Sequence, residues 1–208
     1  VLAVDIETVS ISDHSLLGLA FAWSPQDAVY FTGDDTSIPL HLLSSGKIIF
    51  HNVLFDKPIL DTVYNIDTVY IGDTMLLAQS LGYPAALGDL ASPLVFNFNH
   101  RHITDLLYDT TGKKIKKKTL RDCAIEDVAK ICSEHAMGTM KVWSKLKDKA
   151  PKSYYLDMSI LPLILRLHRE GIRVNTLLAG ERHHKLDALA QYYKGLCDGM
   201  GFNPASPK

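Results

Sequence analysis

The spacing of apolar positions changes along the chain and predicts its elements. Residues 1–4 are apolar without a break and run into Asp5-Ile6-Glu7-Thr8, the pattern of a short buried strand with a polar end. Residues 16–23 alternate loosely and residues 28–32 form a β-rich run. The Ser24-Pro25-Gln26-Asp27 turn between them makes a hairpin. A short helix is expected over 38–44 and a strand over 47–50, followed by a helical pattern through Lys57, Ile59 and Leu60. Residues 68–71 read as a strand, Asp73 as the N-cap of a helix beginning Thr74-Met75-Leu76, and 88–91 as another helical turn. A longer helix starts at Ile125 and reaches Trp143. Residues 155–170 and 176–200 form two more helices, closed by Gly171 and Gly201 with a short extended link between them. Three strands followed by strand–helix units indicate an α/β domain, and the order alone leaves several α/β folds open.

Composition narrows the class. A chain of 208 residues has room for one or two domains with a real core. Its 47% hydrophobic and 22% charged residues are those of an ordinary soluble globular protein. A net charge of −1 gives no global attraction to nucleic acid, so any such binding rests on local patches. The strongest patch is the lysine run Lys113, Lys114, Lys116, Lys117 and Lys118, which reads either as a phosphate-contacting loop or as a solvated one. Cys123, Cys132 and Cys197 are odd in number and lack C-x-x-C spacing, which fits a reducing compartment and argues against a zinc site or a disulfide framework. No apolar run approaches membrane-spanning length, so no membrane association is expected. The first residue is not Met and already belongs to a strand, so a fragment of a longer protein is expected.

The candidate chemistry lies at the ends of two predicted strands. Side chains alternate along a strand, so Asp5 and Glu7 share a face. Two adjacent carboxylates repel and desolvate badly unless a divalent cation lies between them, and hard oxygen ligands suit Mg²⁺ or Mn²⁺. A surface strand that simply carries two acids is the alternative. After the 47–50 strand comes His51-Asn52-Val53-Leu54-Phe55-Asp56. Asp56 there is either a site carboxylate or an acid complementing a helix N-terminus.

The D-x-E strand end and the Asn52…Phe55-Asp56 segment together resemble the first two motifs of the DEDD superfamily of 3′–5′ exonucleases. Asp73-Thr74-Met75-Leu76 and Gly88-Asp89-Leu90-Ala91 are similar to segments of the exonuclease domain of family-A DNA polymerases. The R-x-G-I-x-V phrase from Arg169 to Val174 and the closing Phe202-Asn203-Pro204-Ala205-Ser206-Pro207-Lys208 resemble the base of the polymerase thumb. The resemblance implies a ribonuclease-H-like mixed sheet flanked by helices, then a helical hairpin. It implies an exonuclease domain over 1–150 and the first thumb helices over 151–208, with palm and fingers in the full-length chain. It also implies proofreading hydrolysis at a single-stranded DNA 3′ end in the cytoplasm of a bacterial or phage-infected cell, with two Mg²⁺ or Mn²⁺ ions. Asp5 would bridge the two metals, Glu7 and Asp56 would hold one each, and Thr8 would lie beside the terminal nucleotide. Asn52 and Phe55 would line the strand path, although Phe55 serves equally well as a core residue.

The family's third motif, Tyr-x-x-x-Asp on a helix, is where this chain departs. One register places Ile131 at the Tyr and His135 at the Asp, and keeps the surrounding pattern with Thr139 and Trp143. The other places Cys123 and Asp127 there. Asp127 and His135 are eight residues apart on one helix, about 12 Å along its axis, so they cannot both reach the site. The first register is the better fit, and it leaves three carboxylates and an imidazole, a set that suits Mn²⁺ or Zn²⁺ better than Mg²⁺. Ile131 cannot orient water, so hydrolysis is expected to be weak. A non-catalytic module that binds single-stranded ends or supports a polymerase, and a stand-alone exonuclease of the ribonuclease D type, remain alternatives. His183 and His184 are expected to face solvent.

Overall fold

The computed structural model describes residues 1–10, 13–116, 118–201 and 203. Lys117 of the lysine run, Ile11 and Ser12 of the first turn, and all of the closing heptapeptide except Asn203 lie outside the described residues. In chain order the elements are β1 (Leu2–Thr8), β2 (Leu16–Ala22), β3 (Ala28–Thr32), α1 (Ser37–Ser45), β4 (Ile48–Phe50), α2 (Val53–Tyr64), β5 (Tyr70–Asp73), α3 (Thr74–Ser80), α4 (Leu87–Leu90), α5 (Ile125–Leu146), α6 (Lys152–Glu170) and α7 (Thr176–Gly199). Short 3₁₀ turns precede and follow α5. None of the described helices is long and apolar enough to cross a membrane.

The strands form one mixed sheet in the order β3-β2-β1-β4-β5. β1, β2 and β3 pair antiparallel, whereas β4 and β5 extend the sheet in parallel. This puts β1 in the middle, and from Asp5 on it runs past the end of β4. In such sheets the crevice beyond the strand ends is where ligands are held.

Alternation along β1 decides which helix meets which face. Val4 and Ile6 join Leu19, Phe21, Ile48 and Phe50 against Leu43 of α1, Val53, Ile59, Leu60 and Tyr64 of α2, and Leu161 of α6. Ala3 points the other way, with Ala20, Ala22 and Ile49, and packs on Cys132, Ala136 and Met140 of α5. The small residues let the α5 backbone settle close to the sheet. Asp5 and Glu7 are in phase with Ala3, so they project toward α5 at the point where the alanine floor ends.

The strand expected over 68–71 lies two residues later, over Tyr70–Asp73. The preceding residues are held in a connecting turn. Thr68 N–H donates to Asp61 Oδ1 at 2.8 Å, and the buried Lys57 ammonium binds Asp61 at 2.5 Å and Asp67 at 2.6 Å. The ladder therefore starts only at Tyr70. Gly72, in mid-strand, lies under Trp143 of α5, where any Cβ would collide with the indole ring.

The chain forms two compact units, Val1–Arg169 and Glu170–Lys208. In the second, α7 is N-capped by Asn175, whose side chain accepts the Leu178 N–H at 3.0 Å. None of its residues is buried. His183 and His184 are exposed, with His183 Nε2 3.1 Å from Asp187.

Candidate active site

Three groups, Asp5, Glu7 and His135, meet where β1 runs on past the end of β4, and a fourth, Asp56, is near enough to feel their charges. Asp5 and Glu7 come from β1, and a bulge between Glu7 and Thr8 ends its regular pairing with β2. Asp56 is in the first turn of α2, and His135 lies on α5. His135 Nδ1 is 3.6 Å from Asp5 Oδ2 and 3.5 Å from Glu7 Oε1. Asp127 is exposed in the first turn of α5, away from this cluster. It is His135, therefore, that faces the carboxylates.

The electrostatics are those of crowded acids. Burial, with Asp5 alongside, pushes Glu7 up to about 7 against the pull of His135. Asp56 is pushed well above the usual carboxylate range by burial first and then by Asp5, Asp73 and Glu7. Burial works against a charged His135, yet bonding to Asp5 and Glu7 and their charges outweigh it and push the ring up to about 11. His135 Nε2 lies 2.8 Å from the Arg101 carbonyl. A carbonyl only accepts, so Nε2 carries a proton, and a neutral ring then presents the Nδ1 lone pair to the acids.

These residues fit a hard divalent cation. Asp5 Oδ2 is buried with no partner at hydrogen-bond distance, its nearest charged neighbour being His135 Nδ1 at 3.6 Å, so it has lone pairs to give a cation. Burial favours the protonated forms of Glu7 and Asp56, and a cation competes with those protons for the carboxylates. Cys132 Sγ, Asp5 and Glu7 also offer ligand atoms within 4.8 Å of one another. This brings a thiol to the carboxylates, where the Cys spacing had argued against a zinc site. The thiol donates to the Asp5 carbonyl at 3.4 Å, and burial, then Asp5 and Glu7, push its pKa well up. It is thus a protonated neighbour of an oxygen site.

A pH dependence with a definite sign follows. Both Glu7 and His135 have raised folded-state values. Their contribution is present in full below the unfolded values and is lost as pH rises, for Glu7 between 4.5 and about 7 and for His135 between 6.5 and about 11. A cation competes with those protons and binds better as pH rises. An ion at about a hundred times its Kd stabilises by about 2.7 kcal/mol, or about 5–10 °C for a chain of this size. We expect Mn²⁺ to raise the Tm by that much at pH 8 and by far less at pH 5. Equal shifts at both values in thermal melts would exclude a carboxylate-centred site.

The other expected residues are placed as follows. Thr8 is buried and donates its hydroxyl to the Ser10 carbonyl at 3.2 Å. Asn52, half-buried, is the N-cap of α2 in the left-handed region at φ 79°, with no side-chain capping bond. Phe55 packs against the α2-side core and meets His14 edge-on at 5.9 Å. Three further residues escaped the sequence reading. His100 stacks on His135 at 4.6 Å, Arg101 supplies the carbonyl under His135, and His51 bridges Thr74 Oγ1 and the Ala85 carbonyl at 2.9 Å each. His100 and Arg101 lie in an irregular segment with no periodicity to flag them. Only the three-residue offset of Cys132 from His135 carried a legible signal.

The family model described as 3′–5′ exonuclease matches residues 1–150. The chain belongs to this 3′–5′ exonuclease family. Among solved structures, Brucella melitensis NrnC with bound Mg²⁺ is similar at a TM-score of 0.58 and 14% identity, covering 82% of this chain and 85% of that one. Brucella melitensis NrnC bound to pGG gives a TM-score of 0.57 and 15% identity over 82% and 85% of the two chains. At these identities the likeness speaks for the fold, and this exonuclease domain has the ribonuclease-H-like mixed sheet expected from the sequence.

Proposed function

We propose that the chain removes nucleotides from the 3′ end of single-stranded DNA, as the proofreading domain of a family-A DNA polymerase in a bacterial or phage-infected cytoplasm, with residues 151–208 beginning the thumb. The observation that carries the reading is the convergence of Asp5 and Glu7, on one strand, with His135 opposite them and Asp56 near enough for their charges to raise its pKa. The polymerase context rests on the resemblance of the Arg169–Val174 phrase and the closing heptapeptide to a thumb base.

In this reading Asp5, Glu7 and Asp56 hold Mg²⁺ or Mn²⁺, one or two ions. When bound, such cations offset the charge of the scissile phosphate and acidify water. Asp5 contributes Oδ2, and Glu7 and Asp56 contribute their carboxylates, the cation competing with the protons that burial favours there. His135 completes the ring through Nδ1 when neutral and stands as a competing positive charge when protonated. Ile131, one turn before it, has no group with which to orient water. Thr8, Asn52 and Phe55 border the path of the last nucleotides.

The test is a 5′-labelled single strand incubated in Mg²⁺ or Mn²⁺, with pGG as a second substrate. We expect slow stepwise shortening from the 3′ end, faster in Mn²⁺, lost by at least about 10²-fold in Asp5→Asn. Cleavage that persists in Asp5→Asn would refute the site. A second reading, a non-catalytic module that binds single-stranded ends, is favoured by one observation: an imidazolium already sits against Asp5 and Glu7 where a cation belongs. Absence of hydrolysis in both metals with retained strand binding would establish that reading instead.

A further inference from the structure

A groove separate from the carboxylate cluster lies farther along α5, with an accessible volume of about 400 Å³. Lys141, Lys145 and Lys149 line one side, at intervals of four residues along α5 and the turn that follows it. That spacing stacks them on one face. Tyr83 and Phe96 line the other side, with ring centroids 5.4 Å apart. Tyr83 is 37% exposed and Lys145 and Lys149 are exposed. Among the described lining residues none is acidic. In a chain of net charge −1, this is a local concentration of positive charge beside aromatic faces.

One stretch of backbone joins this groove to the carboxylate cluster. Lys141 Nζ donates to the Asn97 carbonyl at 2.8 Å. Phe98 lies over Gly138, where a Cβ would strike its ring. His100 stacks on His135, and the Arg101 carbonyl receives His135 Nε2–H. Residues 97–101 thus run alongside α5 with one end at the groove and the other at the acids. With a rise of 1.5 Å per residue, Lys145 lies about 15 Å from His135 along the axis, and Lys149 about 20 Å. A strand whose terminal phosphodiester lay at the acids has its preceding nucleotides within reach of the groove.

We propose that this groove holds single-stranded nucleic acid upstream of the 3′ end, with Lys145 and Lys149 on phosphates and a base stacked on Tyr83. Lys141 is already committed to Asn97 and acts as a positioning residue for the 97–101 segment. Lysines for the backbone and aromatic faces for the bases are the combination by which proteins hold single strands without reading sequence. The proposal rests on the nuclease reading for the direction of the strand, not for the chemistry of the groove.

The test is fluorescence anisotropy with fluorescein-labelled dT12 and dT2, without added divalent cation, on the full chain. Each phosphate contact contributes a slope of about −0.7 in log K against log salt for single strands. Lys145→Gln with Lys149→Gln is expected to weaken dT12 binding by about tenfold or more at low salt and to make the slope shallower by about 1.4. Tyr83→Ala is expected to weaken it by about 5- to 150-fold. Binding of dT2, too short to span from the acids, should not follow. These exposed substitutions leave the core alone, and circular dichroism confirms folding. If dT12 binding and its salt slope are unchanged in the lysine variant, the groove is not a strand site. Lysine-dependent dT12 binding by a wild type that hydrolyses nothing would refute the nuclease reading and leave the groove standing. Hydrolysis by the wild type with unaltered dT12 binding by every variant would refute the groove alone.

Discussion

Converting the third motif to the family pattern, Ile131→Tyr with His135→Asp, is expected to raise Mg²⁺-dependent hydrolysis of single-stranded DNA by about 10²–10⁴-fold. His135 Nδ1 stands 3.6 Å from Asp5 and 3.5 Å from Glu7, so a carboxylate there adds a hard oxygen ligand and removes a competing positive charge. Ile131 is fully buried four residues earlier. A phenol at that point lies one turn before residue 135 on the same helix stripe, as in the Tyr-x-x-x-Asp pattern. The two changes should be non-additive, because a water-positioning group helps only where a cation is held. His135→Asp alone should lower the Tm of the cation-free protein, since it adds a fourth acid and removes the imidazolium, and should enlarge the Tm rise on adding Mg²⁺. Ile131→Tyr alone should cost about 1–3 kcal/mol as overpacking in a filled core. Single-turnover rates of the four proteins in Mg²⁺ and Mn²⁺ test this. Brisk Mg²⁺ activity in the wild type would show that His135 and Ile131 are no handicap. A double variant that stays inert would show that the site lacks more than these two groups.

Asp73→Ala is expected to be among the most damaging single substitutions to stability, costing about 3–5 kcal/mol and lowering the Tm by about 6–20 °C. Asp73 is 1% exposed and its carboxylate serves two helices. It accepts the Met75 and Leu76 N–H groups at 2.8 and 3.1 Å, capping α3. It also accepts the Val53 N–H at 2.7 Å and the Asn52 N–H at 3.4 Å, at the start of α2, where Asn52 itself supplies no cap. Alanine leaves these donors without a partner in a buried place. Because α2 carries Asp56, the variant should also lose cation-induced stabilisation, by more than its reduced Tm alone explains. Asp73→Asn keeps one acceptor oxygen and should cost about 1–2 kcal/mol. Urea melts with and without Mn²⁺ separate the two effects. A loss below about 1 kcal/mol for the alanine variant would mean that the α2 and α3 termini find other partners.

Asp73 also illustrates how far the sequence could be read. Its place before Thr74-Met75-Leu76 marked it as a helix cap, because capping is local and its signal lies within three residues. Its second role, at α2, joins residues twenty positions apart and has no local signature. The same division holds at the site. Alternation along β1 placed Asp5 and Glu7 on one face, and the pattern around Ile125–Trp143 aligned His135 rather than Asp127 with the third motif. Cys132 was discounted for want of a C-x-x-C partner, whereas the fold lays α5 across the alanine floor of the sheet and brings its Sγ to the Asp5 carbonyl, 127 residues away.

The sequence by itself determined the five strands and their helices to within a few residues, because apolar period, turn residues and glycine stops are short-range properties. Among the strands the largest shift was that of β5, displaced by two residues by the Lys57–Asp61–Asp67 network, a set of contacts that exists only once α2 has packed. The sequence also determined which acids share a face. The tertiary structure alone decided that these acids meet an imidazole whose other nitrogen is held by the Arg101 carbonyl, and that burial raises Glu7 and Asp56 together. It alone set a basic and aromatic groove at the far end of the segment leading from that imidazole. Burial, and the approach of charges distant in sequence, arise only when the sheet and α5 close on one another, so no window of sequence contains them.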